Sequence, residues 1–302
     1  MNSNRIKVVL TGASGFLGSN IIQKLKDKDK FRIYALSSKG RILQQKNDNL
    51  NVIYLDKEAI LHDEYKSILN EAIVVNCAFP RNSTGIGMGE GLKYIQELFS
   101  NSVKADAKAI INISSQSVYS SKREEPVDEN VLVCPETPYA VGKYSMELLL
   151  ETACEASNTV YTNIRLASLI GEGFNQRIVN RFVKKALETH MLNVNNNQQI
   201  FGFMDIDDAV TGILRLLDTN PKKWKPVYNL GIDQGYTLIE IAKLVKKVLK
   251  ETMNIDTKIK IVSGTESSNS SINASLFNKD FDFLPAVSLE SSIRKISEGY
   301  LK

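Results

Sequence analysis

A doubly wound α/β fold, with one parallel sheet covered on both faces by helices and a smaller C-terminal α/β lobe, is the architecture this sequence predicts. Three observations predict it. Short apolar strands recur through the first half of the chain, separated by stretches whose apolar residues fall at helical spacing. The first strand runs straight into three glycines, three residues apart, and then into a helix. No repeat, coiled coil or long linker breaks the pattern. Strands alternating with helices form βαβ units, and right-handed crossovers between them build a Rossmann-type doubly wound parallel sheet.

The elements follow in order. Residues 6–10 are rich in Val, Ile and Leu and read as a buried strand. Gly12, Gly15 and Gly18 come next, followed by Phe16, Leu17, Ile21, Ile22 and Leu25 on one helical face. A strand that turns through glycines into a helix offers backbone N–H groups and a positive helix end to a phosphate. Gly12 permits the tight turn, Gly15 the approach of a ligand, and Gly18 close packing of helix on strand. Further strands are predicted at 31–37, 51–56, 72–78, 109–115, 160–166 and 227–230. Helices are predicted at 91–103, 138–156, 178–187, 206–217, 238–249 and 289–301, and the Ser- and Asn-rich stretch 263–275 reads as a surface loop. Ligands in such sheets bind beyond the carboxyl ends of the strands, where the polar stretches 11–18, 37–41, 76–81 and 114–119 fall. The predicted division is a dinucleotide-binding domain of residues 1–168 and 204–232, with a substrate lobe of 169–203 and 233–302.

Composition narrows the function. A net charge of +4 over 302 residues gives no electrostatic case for nucleic acid. No apolar run approaches the length of a membrane span, and a core strand begins within a few residues, leaving no room for a signal peptide. Cys77, Cys134 and Cys154 form no CxxC pair, and the reading is a reduced cytoplasmic protein with neither disulfide framework nor metal cluster. His62 and His190 each stand alone in polar surroundings, so catalysis has to run on other groups.

Five segments carry a resemblance. They are Thr11-Gly12-Ala13-Ser14-Gly15-Phe16-Leu17-Gly18, Ser114-Ser115-Gln116-Ser117-Val118-Tyr119, Pro138-Tyr139-Ala140-Val141-Gly142-Lys143, Asp205-Ile206-Asp207-Asp208-Ala209 and Val227-Tyr228-Asn229-Leu230-Gly231. In this order they resemble the extended short-chain dehydrogenase/reductase family, in its NAD-dependent epimerase/dehydratase branch, along nearly the whole chain. Tyr139 and Lys143, four residues apart, share one helical face. A phenol is a poor base near neutrality, and an adjacent ammonium favours the phenolate. The resemblance makes Ser115, Tyr139 and Lys143 the catalytic set, with Ser115 hydrogen-bonded to the substrate oxygen and Lys143 also holding the nicotinamide ribose.

The same resemblance implies the remaining sites. The cofactor is held by Gly12, Ser14, Gly15, Phe16, Leu17 and Gly18, by Asp56 facing the adenine, and by Cys77 and Ala78 along the dinucleotide. At the end of the second strand NAD enzymes usually carry an acid for the ribose 2′-hydroxyl. Here Ser37 and Ser38 are followed by Lys39 and Arg41, which favours NADP, with NAD as the other possibility. Phe79, Arg81, Ser115, Gln116, Ser168, Arg177 and Arg181 are the candidate substrate residues. Dehydratases of this branch carry an acidic pair after the serine; here the positions are Gln116 and Ser117, which argues against 4,6-dehydration. Arginines that often grip a nucleotide diphosphate are replaced by Phe201-Gly202 and Ser263-Gly264. The implied activity is reduction of a keto group on a nucleotide-activated sugar. The alternatives are an NAD-dependent nucleotide-sugar 4-epimerase and a non-catalytic dinucleotide-binding regulator. The family further implies a homodimer, built on the helices near 91–103 and 138–156.

Overall fold

The structure is a computed structural model that describes residues 5–38, 51–63, 66–80 and 85–301. Its strands are β1 Ile6–Thr11, β2 Phe31–Ser37, β3 Val52–Asp56, β4 Ile73–Asn76, β5 Ala109–Ile113, β6 Val160–Leu166, β7 Ser168–Ile170, β8 Met191–Asp205, β9 Val227–Leu230, β10 Gly235–Thr237 and β11 Lys258–Asn269. Its helices are α1 Phe16–Leu25, α2 Lys66–Leu69, α3 Gly85–Lys104, α4 Pro138–Cys154, α5 Ile178–Thr189, α6 Ile206–Asp218, α7 Leu238–Met253, α8 Ser275–Phe281 and α9 Leu289–Gly299. The chain divides into two compact units. One comprises Met1–Val118, Pro135–Arg165 and Ile213–Tyr228; the other comprises Tyr119–Cys134, Leu166–Gly212 and Asn229–Lys302.

The first unit is organised by the seven-stranded sheet, of order β3-β2-β1-β4-β5-β6-β9. The pairings β1 with β2, β2 with β3, β1 with β4, β4 with β5 and β5 with β6 are parallel. This is the doubly wound order, in which the chain reverses direction across the sheet between β1 and β4. Both faces of β1, β4 and β5 are covered, so these strands are almost continuously apolar. On one face Val9, Leu36, Val74 and Ile110 meet Ile95, Leu98 and Phe99 of α3 and Met146 and Leu150 of α4. Each such buried side chain contributes about 1.5–3 kcal/mol of transfer free energy.

One polar row crosses this apolar sheet. Thr11 Oγ1 donates to Asn76 Oδ1 at 2.6 Å, Asn76 Nδ2 to Asn112 Oδ1 at 3.0 Å, and Asn112 Nδ2 to Asn163 Oδ1 at 2.8 Å. The four residues are in register on β1, β4, β5 and β6, and all are buried. The row lies at the carboxyl ends of the strands, one residue before Gly12 and Cys77 and three before Ser115.

In the second unit β8 runs 15 residues and pairs with β10 antiparallel and with β7 and β11 parallel. Leu192, Val194 and Phe203 of β8 form a core with Val179 and Val183 of α5, Ile241 and Val245 of α7, and Ile293 and Ile296 of α9. The segment 205–209 closes this unit: Asp208 accepts hydrogen bonds from the backbone N–H groups of Ala286 and Val287 at 3.0 and 2.8 Å, ahead of α9. The segment 227–231 supplies Asn229, whose amide donates to the carbonyls of Val127 and Asn273 and accepts from the Tyr119 hydroxyl at 2.9 Å.

The stretch 263–275 is not the loop its composition predicts. Residues 263–269 complete β11, and α8 starts at Ser275. β11 has β8 on one side only, and most of its residues are exposed. Serine and asparagine are tolerated there because strand preference reflects packing against neighbours more than backbone preference. A register shift between Ser263 and Ser267 interrupts the ladder at this composition. The helix predicted at 91–103 begins earlier, at Gly85, in a glycine-rich turn that weakens the sequence signal.

The polar row gives a stability test. Asn112→Leu strands a donor on Asn76 and an acceptor on Asn163, and the expected loss is about 2–5 kcal/mol. Urea unfolding followed by circular dichroism measures it.

Candidate active site

The glycine turn is built as its spacing requires. Gly12 has φ +65°, and a Cβ there would stand 2.8 Å from the Ala78 nitrogen, at the point where β1 and β4 diverge. A Cβ on Gly18 would lie 2.3 Å from the Gly12 carbonyl oxygen, so only glycine lets α1 pack this close to the turn. Gly15 is the N-cap of α1 and brings no side-chain oxygen to its first turn. A helix start without a side-chain cap has N–H groups to offer an anion.

The other carboxyl ends carry the remaining residues of this unit. Ser37 is buried at the end of β2, and Ser38 is exposed. Asp56 ends β3; one carboxylate oxygen accepts from the Glu58 N–H at 2.9 Å, while Oδ2 is buried without a partner among the described residues. Cys77, Ala78 and Phe79 follow β4, half-buried. Burial pushes the Cys77 thiol up to about 12, against the opposing pull of the Lys143 ammonium. Lys39, Arg41 and Arg81 lie outside the described residues.

Helix α4 starts where sequence chemistry dictates. Thr137 is its N-cap, with Oγ1 accepting from the Ala140 N–H at 3.1 Å, and Pro138 takes the first turn. Tyr139 is thereby half-buried in the first turn and Lys143 fully buried in the second. Lys143 Nζ donates to the Ile113 carbonyl at 2.7 Å, which ties α4 to the end of β5 two residues before Ser115. Ser115 is itself oriented: its Oγ accepts from the Ser117 N–H at 3.2 Å and from the Ser117 hydroxyl at 2.9 Å. With both lone pairs so engaged, the Ser115 proton is available to a further acceptor. Gln116 opens the short 3₁₀ turn that follows.

A buried ion pair underlies the site. Glu147, one turn beyond Lys143 on α4, receives Arg165 Nη2 at 2.8 Å and Nε at 3.2 Å, and it also accepts a hydrogen bond from the Ser114 hydroxyl. Both charged groups are almost wholly removed from solvent. Sequence reading missed this pair. Its signals were a lone arginine in an otherwise uncharged strand and an acid at helical spacing from Lys143.

In the second unit Ser168 opens β7 opposite Phe203 of β8. Arg177 is the N-cap of α5, its guanidinium 5.1 Å from the Phe174 ring centroid, and Arg181 is exposed one turn on. Within α5, Asn180 is buried and its amide donates to the Gly171 carbonyl at 2.9 Å.

Residues 8–231 match the model of the NAD dependent epimerase/dehydratase family. The chain belongs to that family. Among curated family relatives, the protein CapI of Staphylococcus aureus is 22% identical, over 98% of this chain and 99% of its own. The UDP-glucose 4-epimerase of Lactobacillus helveticus is 23% identical, over 80% of this chain and 82% of its own. The crystal structure of UDP-glucuronic acid 4-epimerase from Bacillus cereus, in complex with UDP-glucuronic acid and NAD, superposes with a TM-score of 0.80 at 21% identity. It covers 97% of this chain and 98% of that one. That likeness establishes the Rossmann-type fold of this family member. Among its described residues no helix is long and apolar enough to cross a membrane.

Two outcomes are expected. Glu147→Gln leaves the Arg165 guanidinium buried without its countercharge and lowers stability by about 3–5 kcal/mol; the double change Glu147→Met with Arg165→Met restores most of that loss in a denaturant titration. Alkylation by iodoacetamide at pH 8 follows the thiolate. Exposed Cys134 is labelled first, and Cys77, raised to about 12, and Cys154, raised to about 11, lag by at least about tenfold in a mass-spectrometric time course.

Proposed function

We propose that this chain is a nicotinamide-dependent 4-epimerase of a nucleotide-activated sugar, which oxidises one hydroxyl to a keto group and re-reduces the same carbon from its other face. The observation that carries the reading is the arrangement on α4 and β5. Lys143 is tied to the Ile113 carbonyl, Tyr139 stands one turn before it, and Ser115 is held by Ser117 with its proton to give. Gln116 and Ser117 supply no acid for elimination, which argues against 4,6-dehydration. The chain's likeness to the Lactobacillus helveticus UDP-glucose 4-epimerase and the Bacillus cereus UDP-glucuronic acid 4-epimerase supports the reading.

Each residue then has a role. The Gly12–Gly18 turn takes the pyrophosphate, where side chains would collide with backbone. Asp56, whose Oδ2 has no partner among the described residues, would hold the adenine end of the cofactor, and Lys143 its nicotinamide ribose. The bound nicotinamide supplies the hydride acceptor and donor. Ser115 donates to the reacting oxygen, and Tyr139 takes its proton on oxidation and returns it on reduction. The ammonium of Lys143 favours the phenolate that this exchange needs. We further propose a homodimer through α3 and α4, whose shared groove is lined by Leu92, Gln96, Leu148 and Thr152 and where Leu148 stays exposed.

A second reading is a keto-reductase using NADP. It is favoured by Ser37 and Ser38, which present no carboxylate to a 2′-phosphate. Cofactor stoichiometry separates the two. An epimerase converts UDP-glucose or UDP-glucuronic acid with no net change in absorbance at the wavelength of the reduced cofactor. A reductase oxidises one NADPH per product. In either case Tyr139→Phe lowers kcat by about 10²–10⁴-fold, with the dissociation constant of the cofactor within a factor of about three of wild type. Undiminished turnover in that variant would sink both readings.

A further inference from the structure

We propose that Phe79 is a positioning residue of this site: its ring holds the Lys143 ammonium against its face and packs against the Tyr139 phenol, fixing the pair for proton exchange. The inference rests on the oxidoreductase reading above and adds a residue to it. Sequence reading places Phe79 only at the border of the substrate pocket.

The geometry is specific. The Phe79 and Tyr139 ring centroids are 5.1 Å apart with planes at 83°, an edge-to-face contact. Lys143 Nζ lies 4.4 Å from the Phe79 centroid. An aromatic face attracts a cation, and edge-to-face packing fixes ring orientation beyond what area burial gives. One ring therefore touches both the proton-transfer group and the cation beside it. The Ile113 carbonyl and the Phe79 face together locate an ammonium that would otherwise swing on four methylenes.

The surrounding chain makes room for this ring. Gly142 sits on α4 between Tyr139 and Lys143; a Cβ there would stand 3.1 Å from Phe79 Cζ and 2.8 Å from Met88 Sδ. On α3, a Cβ at Gly91 would stand 2.4 Å from Pro80 Cγ. Two helices thus lack side chains where the Phe79–Pro80 segment leaves β4.

Fluorinated phenylalanines at position 79, introduced by nonsense suppression, separate charge from shape. Fluorine drains the negative face of the ring while nearly preserving its size. Along phenylalanine, 4-fluoro-, 3,5-difluoro- and 3,4,5-trifluorophenylalanine, kcat for UDP-glucose or UDP-glucuronic acid falls stepwise to a total of about tenfold, the size of a desolvated cation–π contact. KM stays within about twofold, and the melting temperature is unchanged. A kcat that is flat along the series, or one that falls only in step with the melting temperature, overturns the proposal. A second readout needs no turnover. In the nuclear magnetic resonance spectrum of the full chain, the ring current of Phe79 displaces the ε-methylene protons of Lys143 upfield, and Phe79→Leu removes the displacement. Its absence from the wild type overturns the proposal. If the wild type turns over neither sugar, the 4-epimerase reading fails for these two substrates, and the displacement alone decides whether Phe79 holds Lys143.

Discussion

A carboxylate taken out of water has to be paired with something equally charged, and Glu147 is paired with Arg165. That pair joins α4 to β6, while the Ser114 hydroxyl joins the same carboxylate to the end of β5. Three elements far apart in sequence meet at one buried charge. Desolvation offsets much of the attraction, so the pair adds little net stability over an apolar equivalent, yet it tolerates only one arrangement of its partners. Tyr139 and Lys143 ride on the helix so fixed, and Ser115 follows the strand end so fixed. The spacing among these three is inherited from a salt bridge that touches none of them.

The lysine tether works on the same logic at shorter range. A buried ammonium needs acceptors, and Lys143 finds one at the last carbonyl of β5 and a diffuse second one in the Phe79 ring. Below them the amide row from Thr11 to Asn163 keeps the strand ends level, so the glycine turn, Cys77 and Ser115 emerge from one edge. The sheet contributes rigidity, the helix a reactive pair, and the turns between them a place for phosphate.

The parallel sheet was legible because each strand carries its own apolar run and Gly12 and Gly18 of the first turn perform tasks that only glycine can. The turn at Gly12 to Gly18, the tyrosine and lysine on one helical face and the strand ends are local patterns, readable one segment at a time. The Glu147–Arg165 pair, the row of asparagines and the seat of Phe79 are not local. Each depends on which residues of distant segments meet, and nothing in the spacing of Asn76 and Asn112 shows that they are neighbours. The segment 263–275 was misread for the converse reason. Its composition is that of a loop, and only the neighbouring β8 makes a strand of it. Lys39, Arg41 and Arg81, three cations of the sequence reading, fall outside the described residues, so the preference between NAD and NADP rests on Ser37 and Ser38.

The amide row has a consequence for how this sequence can change. Its donors all point the same way, from Thr11 toward Asn163, and the amides of Asn76 and Asn112 both give and receive. An aspartate at any inner position would face an oxygen where it now offers hydrogen, and an apolar residue would silence both neighbours at once. The row is therefore replaceable as a whole but poorly divisible. Positions 76, 112 and 163, separated by 36 and 51 residues, thus behave as one unit: a change at one leaves a buried polar group unpaired unless its neighbours in the row change with it.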